Sequence, residues 1–313
     1  MSKMATREAY GKALVKLGQI NDNVVVLDAD LSKSTKTHDF YKSFPDRFFN
    51  MGIAEQNLIG AACGLSTAGK IPFASTFAMF ATGRAFEIIR NSVCYPKLNV
   101  KICATHAGLT VGEDGASHES VEDIAIMRAI PNMTVLVPAD GVETEKIIFE
   151  IAKYNGPVYV RLGRSSVPVL FDEDYKFEIG KGTVLREGKD VSIIACGIMV
   201  NEALLAQEKL QEEGINARVI NMFSIKPIDK DLILESAKET NAIVTVEEHS
   251  IIGGLGSAVS EVVGESCPTI VKKVGIKDTF GESGTPNELL KKYELTCDDI
   301  IKTVKEAIIA KRM

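Results

Sequence analysis

The sequence predicts an α/β protein of two doubly wound domains, each built around a mostly parallel sheet. Short apolar runs rich in β-branched residues alternate with helix-like stretches of ten or more residues, the pattern of a parallel sheet covered by helices on both faces. This alternation breaks once, in a segment with short runs, a charged cluster and several glycines. We therefore predict a first domain over residues 1–170, a linker over 171–189, and a smaller α/β domain over 190–313.

The elements of the first domain follow from its apolar runs. The run 23–27 contains three consecutive valines and predicts a buried strand, and Gly69 is a natural end for the alanine- and leucine-rich helix before it. The predicted strands are 23–27, 71–74, 98–104, 134–137 and 157–161. The predicted helices are 5–18, 55–68, 77–93, 120–129 and 141–153.

The second domain repeats the alternation of strand and helix. The predicted strands are 190–196, 217–221, 242–247 and 269–274, and the predicted helices are 201–213, 229–239, 256–263, 286–293 and 298–310. The glycine run 253–256 lacks the spacing of either nucleotide-binding fingerprint. We therefore favour a helix N-terminus packed closely on the sheet over a phosphate-binding loop.

Composition limits the classes of partner. The 313 residues are 45% hydrophobic and 25% charged, with a net charge of −6 and both signs interspersed. Without a basic stripe, nucleic acid is not an expected partner, and no apolar run reaches membrane-spanning length. The six cysteines form no CxxC pair and no zinc-like spacing, so we expect core thiols, no metal site and a reducing compartment. The start of the chain lacks a secretory apolar segment, which makes a cytoplasmic location the default expectation.

Polar side chains follow several predicted strands of the first domain at the point where each strand ends. Asp30 and Ser34 follow the first strand, the loop Thr105–Asp123 follows another, and Arg164 follows the last. Because ligands bind at the carboxyl ends of strands in open α/β sheets, these groups are expected to meet at one edge of the domain. That loop carries two of the four histidines, His106 and His118.

Two further features have competing interpretations. Glu55 begins an apolar helix, where the helix dipole favours a carboxylate, but burial there would raise its pKa and equip it to share a proton. Phe77 and Phe80 are spaced like core residues of a helix, but they could also stack on a flat heteroaromatic ring.

Together, these residues give the chain a resemblance to transketolases over essentially its whole length. The pattern H-x5-GEDG-x2-H downstream of GIAEQ is a specific signal, whereas any single piece would be weak. The resemblance implies the pyrimidine-binding and C-terminal domains of that family. The matching motifs, in order, are Arg7, DADLS (28–32), GIAEQ (52–56), STFAMF (75–80), THAGLTVGEDGASHESVED (105–123), VPADGVET (137–144), Arg161–Arg164 and VEEHSIIGGLGSAV (246–259).

One motif of the family is missing from this sequence. Transketolases hold the diphosphate of thiamine diphosphate, through Mg²⁺, with a GDG…N motif in an N-terminal domain, and neither DG pair here begins such a motif. The chain therefore resembles the separate C-terminal subunit of a split transketolase. This implies thiamine diphosphate shared with an N-terminal subunit that binds the Mg²⁺, and self-association into an α2β2 assembly.

The resemblance also implies roles for residues near the cofactor. Glu55 matches the glutamate that hydrogen-bonds N1′ of the aminopyrimidine and favours the imino tautomer, which takes the proton from the thiazolium carbon. Phe80 matches the residue stacked on the pyrimidine, with Phe77 beside it, and Asp30 matches a residue near the thiazolium. Where many transketolases have a tyrosine three residues after the stacking phenylalanine, this chain has Gly83.

The remaining implied roles concern the sugar phosphates. Asp114 matches a carboxylate that accepts a hydrogen bond from a donor-sugar hydroxyl, and His118 lies near the reacting carbons. The groups that match those holding the phosphate are Arg7, Ser34, His106 and Arg164. Two arginines suit a phosphate dianion because the guanidinium bonds it in a bidentate manner.

Three other functions remain open at this point. The first is a 1-deoxyxylulose-5-phosphate synthase-like enzyme, which shares the GEDG and histidine pattern but is normally one longer chain. The second is the corresponding subunit of a 2-oxoacid dehydrogenase, in which less of this pattern is found. The third is an orphaned domain pair used for binding or regulation, whose mark would be loss of Glu55 or Asp114; the sequence keeps both.

Overall fold

In the computed structural model, which describes residues 2–312, the chain forms three sheets. The strands of the first part are β1 (Lys3–Ala5), β2 (Val24–Asp28), β3 (Phe48–Asn50), β4 (Ile71–Phe77), β5 (Lys101–Thr105), β6 (Thr134–Leu136), β7 (Val158–Arg161) and β8 (Ser166–Pro168). Its α-helices are α1 (Thr6–Ile20), α2 (Ser32–Thr35), α3 (His38–Ser43), α4 (Glu55–Thr67), α5 (Phe86–Ile88), α6 (Asp123–Ala129) and α7 (Gly141–Lys153). Short 3₁₀ turns lie at Pro45–Arg47 and Leu109–Asp114, and π-helical stretches at Phe80–Arg84 and Ile89–Cys94.

The second part continues the alternation of strand and helix. Its strands are β9 (Thr183–Arg186), β10 (Val191–Ala195), β11 (Ala217–Asn221), β12 (Ser224–Lys226), β13 (Ala242–Ser250) and β14 (Ile270–Ile276). Its helices are α8 (Met199–Glu212), α9 (Lys230–Thr240), α10 (Leu255–Ser266), α11 (Pro286–Lys292) and α12 (Cys297–Ala310). None of the helices within residues 2–312 is long and apolar enough to cross a membrane.

Two mostly parallel sheets confirm the predicted fold class. The first sheet has the order β12-β6-β7-β5-β4-β2-β3 and the second β14-β13-β10-β11-β9, and only the edge strands β12 and β9 are antiparallel to their neighbours. The central strands β2, β5, β7, β10 and β11 are buried along their whole length, as expected for strands covered on both faces.

The two parts share apolar packing. One hydrophobic cluster joins residues of the first sheet, such as Ile102 and Tyr159, to residues of the second, such as Ile194 and Ile243. Strand β12 comes from the second part of the chain but completes the first sheet by pairing with β6. The two parts therefore share a hydrophobic core and one edge of the first sheet.

The prediction of one regular helix over residues 77–93 is wrong. Phe77 ends strand β4, opposite Thr105 of β5, and the helical segment after it is broken into π-helical stretches around the short α5. Two local features explain this. Gly83 weakens a helix interior, and the Thr82 hydroxyl bonds back to the Ala78 carbonyl at 2.8 Å, which bends helices.

Two boundaries in the first domain also differ from prediction. The helix expected from residue 120 begins at Asp123, because the carbonyls of Ser120 and Val121 accept hydrogen bonds from Gly108 and Ser250 instead of from the helix. The strand expected at 98–104 is Lys101–Thr105. Its predicted start lies in a turn in which the Leu98 amide bonds Val93.

The predicted linker contains one strand. Residues 183–186 form β9, which pairs with β11 and so extends the second sheet. The domain limits given above stay a prediction.

The glycine run before α10 does not bind a phosphate with its helix N-terminus. Both oxygens of the Glu247 carboxylate occupy that end, accepting from the amides of Leu255 at 2.7 Å and Gly256 at 2.8 Å. A Cβ on Gly254 would clash with the same carboxylate. The helix N-terminus is thus packed closely on the sheet, as the sequence favoured.

Candidate active site

The carboxyl ends of four parallel strands gather most of the predicted site residues. Strands β2, β4, β5 and β7 are neighbours in the first sheet, and the chain leaves them through α2, the π-helical stretch, the long loop and Arg164 respectively. The structure connects Arg7, Ser34 and His106 through direct contacts. It connects a second group, Phe77, Phe80 and His118, through stacked and edge-on ring contacts.

The rings form an aromatic cluster of Phe77, Phe80, His106 and His118. The rings of Phe77 and His106 stack with centroids 3.8 Å apart, and Phe77 stacks on Phe80 at 5.7 Å. His118 meets Phe80 edge-on at 5.3 Å, while its Nδ1 lies 2.9 Å from the Ser117 hydroxyl. Phe77 is buried and Phe80 half-buried, so part of the Phe80 ring is exposed beside a histidine. This geometry suits a flat ring as a ligand.

Glu55 is the first residue of α4, as predicted, and only 5% of its side chain is exposed. Its Oε1 accepts a hydrogen bond of 3.0 Å from Nη1 of Arg84. The same guanidinium lies over the ring of Phe80, with its central carbon 4.1 Å from the ring centroid. A buried carboxylate, a flat N–H donor and an aromatic face are therefore assembled in one place.

Arg7 contacts Ser34 and the neutral His106, and other cationic side chains lie nearby. Nη1 of Arg7 donates to the Ser34 carbonyl at 2.9 Å and lies 3.3 Å from Nε2 of His106. Burial, and then the charges of Arg7 and Arg164, lower the pKa of His106 to about 3. Lys36 also contributes to this lowering, so it is a further cation near the group. Nε of Arg7 is buried without a hydrogen-bond partner in the described chain, which suits a site for anions.

The loop that carries the GEDG motif needs its glycines for two separate reasons. Gly112 and Gly115 have φ values of +83° and +75°, a region that side chains rarely adopt. Both also touch the second domain: a Cβ on Gly112 would lie 3.3 Å from the Gly284 carbonyl, and one on Gly115 would lie 2.5 Å from the Ser283 hydroxyl. The second domain therefore packs directly on the loop that presents Asp114, which is itself exposed.

Arg164 extends to the same loop. Its Nη1 lies 2.6 Å from a carboxylate oxygen of Glu113 and also donates to the Val111 carbonyl. The hydrogen bond from Arg164 lowers the pKa of Glu113. One third of the Arg164 side chain is exposed, so it is accessible from the loop surface while held by two partners.

Asp30 is connected to a different partner from the rest. It adopts a left-handed conformation, and its carboxylate accepts from Nδ2 of Asn50 at 2.9 Å. Below it, the buried Asp28 accepts from the Leu31 amide and the Thr35 hydroxyl, both at 2.6 Å, and so fixes α2 with its Ser34.

Sequence reasoning missed three contributors to the site. The first is Arg84, and its position one helical turn after the candidate stacking residue Phe80 was a usable signal. Glu248 accepts from the Thr110 amide, and Ser283 packs on Gly115. Both belong to the second domain, and nothing local in the sequence connects them to the loop.

Comparison with known protein families divides the chain in two. Residues 2–169 match the transketolase pyrimidine-binding domain, and residues 180–300 match the transketolase C-terminal domain. A putative transketolase C-terminal section from Methanocaldococcus jannaschii is 56% identical over 96% of this chain and 95% of its own length. A 6-deoxy-6-sulfo-D-fructose transketolase subunit from a Clostridium species is 43% identical, with 93% of its length covered.

Single-chain relatives match over only part of their length. Human transketolase is 42% identical over 98% of this chain, which spans about half of it, 49%. Among solved structures, one described as a split gene transketolase, inactive β4 tetramer, is 64% identical with a TM-score of 0.93, covering 99% of this chain and all of the other. A transketolase from Campylobacter jejuni, 24% identical, shares the fold with a TM-score of 0.83 over 97% of this chain and 47% of its own. The chain therefore belongs to the transketolase family, as a C-terminal section that combines the pyrimidine-binding and C-terminal domains.

Proposed function

We propose that this chain is one subunit of a thiamine-diphosphate-dependent transketolase that moves a two-carbon ketol unit between sugar phosphates. An N-terminal subunit would hold the diphosphate and Mg²⁺, and this chain would hold the aminopyrimidine. The near-complete match to a C-terminal section and the half-length match to human transketolase support this division. The β4 tetramer described for a related chain supports self-association, and we propose an α2β2 enzyme.

The contact between Glu55, Arg84 and Phe80 is the observation that carries this proposal. The buried carboxylate already receives an N–H donor from a flat, delocalised cation that lies on an aromatic ring. A cofactor aminopyrimidine is also a flat N–H donor once its ring nitrogen is protonated. The residues present therefore fit the pyrimidine half of the cofactor.

In this scheme, the buried Glu55 carboxylate would hydrogen-bond N1′ and would hold or release a proton there. Phe80 would stack on the ring, and Phe77, which stacks against Phe80, would support it. Asp30 would lie near the thiazolium. Bound thiamine diphosphate supplies the electron sink for the two-carbon unit, while the protein orients it and excludes water.

The sugar phosphate would lie across the two remaining groups of residues. Asp114 accepts a hydrogen bond from a donor hydroxyl, and His118, beside Phe80, lies near the reacting carbons. Arg7 and Arg164 bind the phosphate as permanent cations, and the neutral His106 holds Arg7 in position. The carbonyl of Ser34 fixes Arg7 from the other side.

Co-expression with an N-terminal transketolase polypeptide tests the proposal. We expect ketol transfer from a ketose phosphate to an aldose phosphate by the pair, and by neither chain alone. A ketose that carries a sulfonate in place of the phosphate provides a second donor, since one related subunit is named for such a sugar. Decarboxylation of pyruvate without ketol transfer would contradict the proposal and favour a synthase-like or dehydrogenase-like enzyme.

A further inference from the structure

Arg84 contacts both groups that the proposed function assigns to the aminopyrimidine. Its Nη1 donates to Glu55 at 3.0 Å, and its guanidinium lies 4.1 Å from the centroid of Phe80. We propose that Arg84 is a placeholder of the pyrimidine site, a residue that occupies the position of the ring and must leave it before the ring can bind. This inference deepens the proposed function and rests on it.

The guanidinium of Arg84 resembles a protonated aminopyrimidine in shape and charge. It is planar, delocalised, permanently cationic and rich in N–H donors, and it stacks on aromatic faces. A protonated 4-aminopyrimidine shares each of these properties except permanence of charge. The Glu55 carboxylate and the Phe80 ring therefore recognise the same chemistry in Arg84 as in the ring.

Competition follows because one guanidinium reaches both groups at once. Because a guanidinium is small, the face of Phe80 that it covers must be the face turned toward Glu55. A ring that bonds Glu55 and stacks on that face needs the same volume. Both cannot be present together, so the free energy of the Arg84 contacts is subtracted from the binding of the ring.

Arg84 is also built to leave. Its side chain is 52% exposed, whereas that of Glu55 is 5% exposed. The arginine can therefore swing into solvent at low cost while the carboxylate stays fixed at the start of α4. Arg84 ends the π-helical stretch Phe80–Arg84, directly after Gly83, where the backbone is not a regular α-helix.

Replacement of Arg84 by the aminopyrimidine ring would be useful in a split enzyme. Glu55 would otherwise be a buried carboxylate without a charged partner, which is destabilising. Arg84 supplies that partner until a ring replaces it. The chain can then remain folded before it meets the subunit that brings the rest of the cofactor site.

The test is a titration of the full chain with 4-amino-5-hydroxymethyl-2-methylpyrimidine, followed by NMR, which measures millimolar affinities. The variants are Arg84→Met, which keeps the length and removes the charge, and Arg84→Gln, which keeps an N–H donor in case the first variant folds poorly. Arg90→Met is the matched control, because Arg90 is an exposed arginine nearby that donates to Asn91. Glu55→Gln reports whether binding uses the proposed site.

We expect the pyrimidine to bind Arg84→Met about three- to tenfold more tightly than the wild type or Arg90→Met, the range expected for a partly exposed ion pair with added stacking. Arg84→Gln should lie between them, and combining Arg84→Met with Glu55→Gln should abolish the gain. Binding that depends on Glu55 but is equal or weaker in both Arg84 variants would overturn the placeholder alone. Absence of any Glu55-dependent binding would overturn the proposed pyrimidine site and the placeholder with it.

Discussion

Nη1 of Arg7 lies 3.3 Å from Nε2 of His106, close enough for a hydrogen bond in which only the arginine can donate. Nε2 therefore accepts, and Nδ1 carries the proton and donates to the Thr105 hydroxyl, 2.8 Å away. The imidazole is neutral and holds Arg7 toward the cleft. His106 thus positions Arg7 and adds no charge of its own.

The buried neutral imidazole predicts a pH-dependent contribution to stability. The pKa of His106 falls from 6.5 to about 3 on folding, so the unfolded chain binds the proton more readily between these values. The contribution of the neutral His106 to the free energy of unfolding is therefore full above pH 6.5, and it is lost progressively as the pH falls from 6.5 toward 3. His106→Asn should reduce the loss of unfolding free energy between pH 7 and pH 5 by about 2 kcal/mol.

Urea unfolding at the two pH values measures this effect. His38→Asn is the control, because His38 is half-buried on α3 and its ring contacts Tyr41. An identical pH dependence in wild type and His106→Asn would show that His106 is not held neutral by its surroundings.

Arg164 is predicted to bind the phosphate of the sugar. In the proposed enzyme, assembled with an N-terminal transketolase polypeptide, Arg164→Ala should raise KM for a phosphorylated donor about ten- to a hundredfold, because it removes a charge-assisted hydrogen-bonded pair. With hydroxypyruvate, which has no phosphate, KM should change little. Steady-state kinetics with both donors measures the difference, and Arg186→Ala, an exposed arginine of β9, is the control.

Glu113→Gln sharpens this test. It weakens the ion pair that holds Arg164, so KM for the phosphorylated donor should not rise. An equal loss with both donors in Arg164→Ala, or none with either, would mean that Arg164 serves only to hold the loop.

Asp114 is predicted to act closer to the reacting carbons than Arg164. Its hydrogen bond to a donor hydroxyl should matter in the transition state as well as in the bound state, so Asp114→Ala should lower kcat as well as raise KM. Glu113→Gln, which changes the neighbouring exposed carboxylate, is the matched control. If Asp114→Ala changed KM alone, its role would be restricted to binding.

The buried ion pair of Arg161 and Asp123 is predicted to stabilise the folded chain. Arg161 Nε donates to Asp123 at 2.9 Å, and Tyr159 donates to the same carboxylate at 2.7 Å. Arg161 also bonds the Glu248 carbonyl of the second domain. Asp123→Ala leaves a buried, unpaired cation and should cost about 3–5 kcal/mol of unfolding free energy. Chemical denaturation checks this. Glu261→Gln, which removes one charge of the partly exposed pair with Arg128, is expected to cost about 1 kcal/mol or less.

The sequence contained enough information for the fold class and for most strands, because buried parallel strands are written as continuous β-branched runs such as Val24–Val26. It also correctly located Glu55 at a helix start. The breaks in helix 77–93 could not be read from hydrophobic periodicity, since a π-helical turn keeps the apolar residues and changes only their register. Strand β12 was missed because a three-residue edge strand has no periodic signal.

The side-chain contacts of the site depend on tertiary structure. The sequence separation between Arg84 and Glu55 has no characteristic spacing, and their contact forms only when the π-helical stretch packs beside α4. The approach of Ser283 to Gly115 depends on how two domains dock. Such contacts depend on how segments distant in sequence pack together, and no periodic pattern in a single sequence indicates this packing.

The central claim is that this chain provides the proton partner of the cofactor's aminopyrimidine, and Glu55→Gln tests it most directly. Glutamine fits the same space and can hydrogen-bond, but it cannot exchange a proton with N1′ as a carboxylate does. In the assembled enzyme, NMR should follow deuterium exchange at the thiazolium carbon of bound thiamine diphosphate. We predict markedly slower exchange in Glu55→Gln than in the wild type, with Asn57→Asp, which alters an exposed side chain of the same helix, exchanging normally. Wild-type exchange in Glu55→Gln, with the cofactor fully bound, would contradict the account.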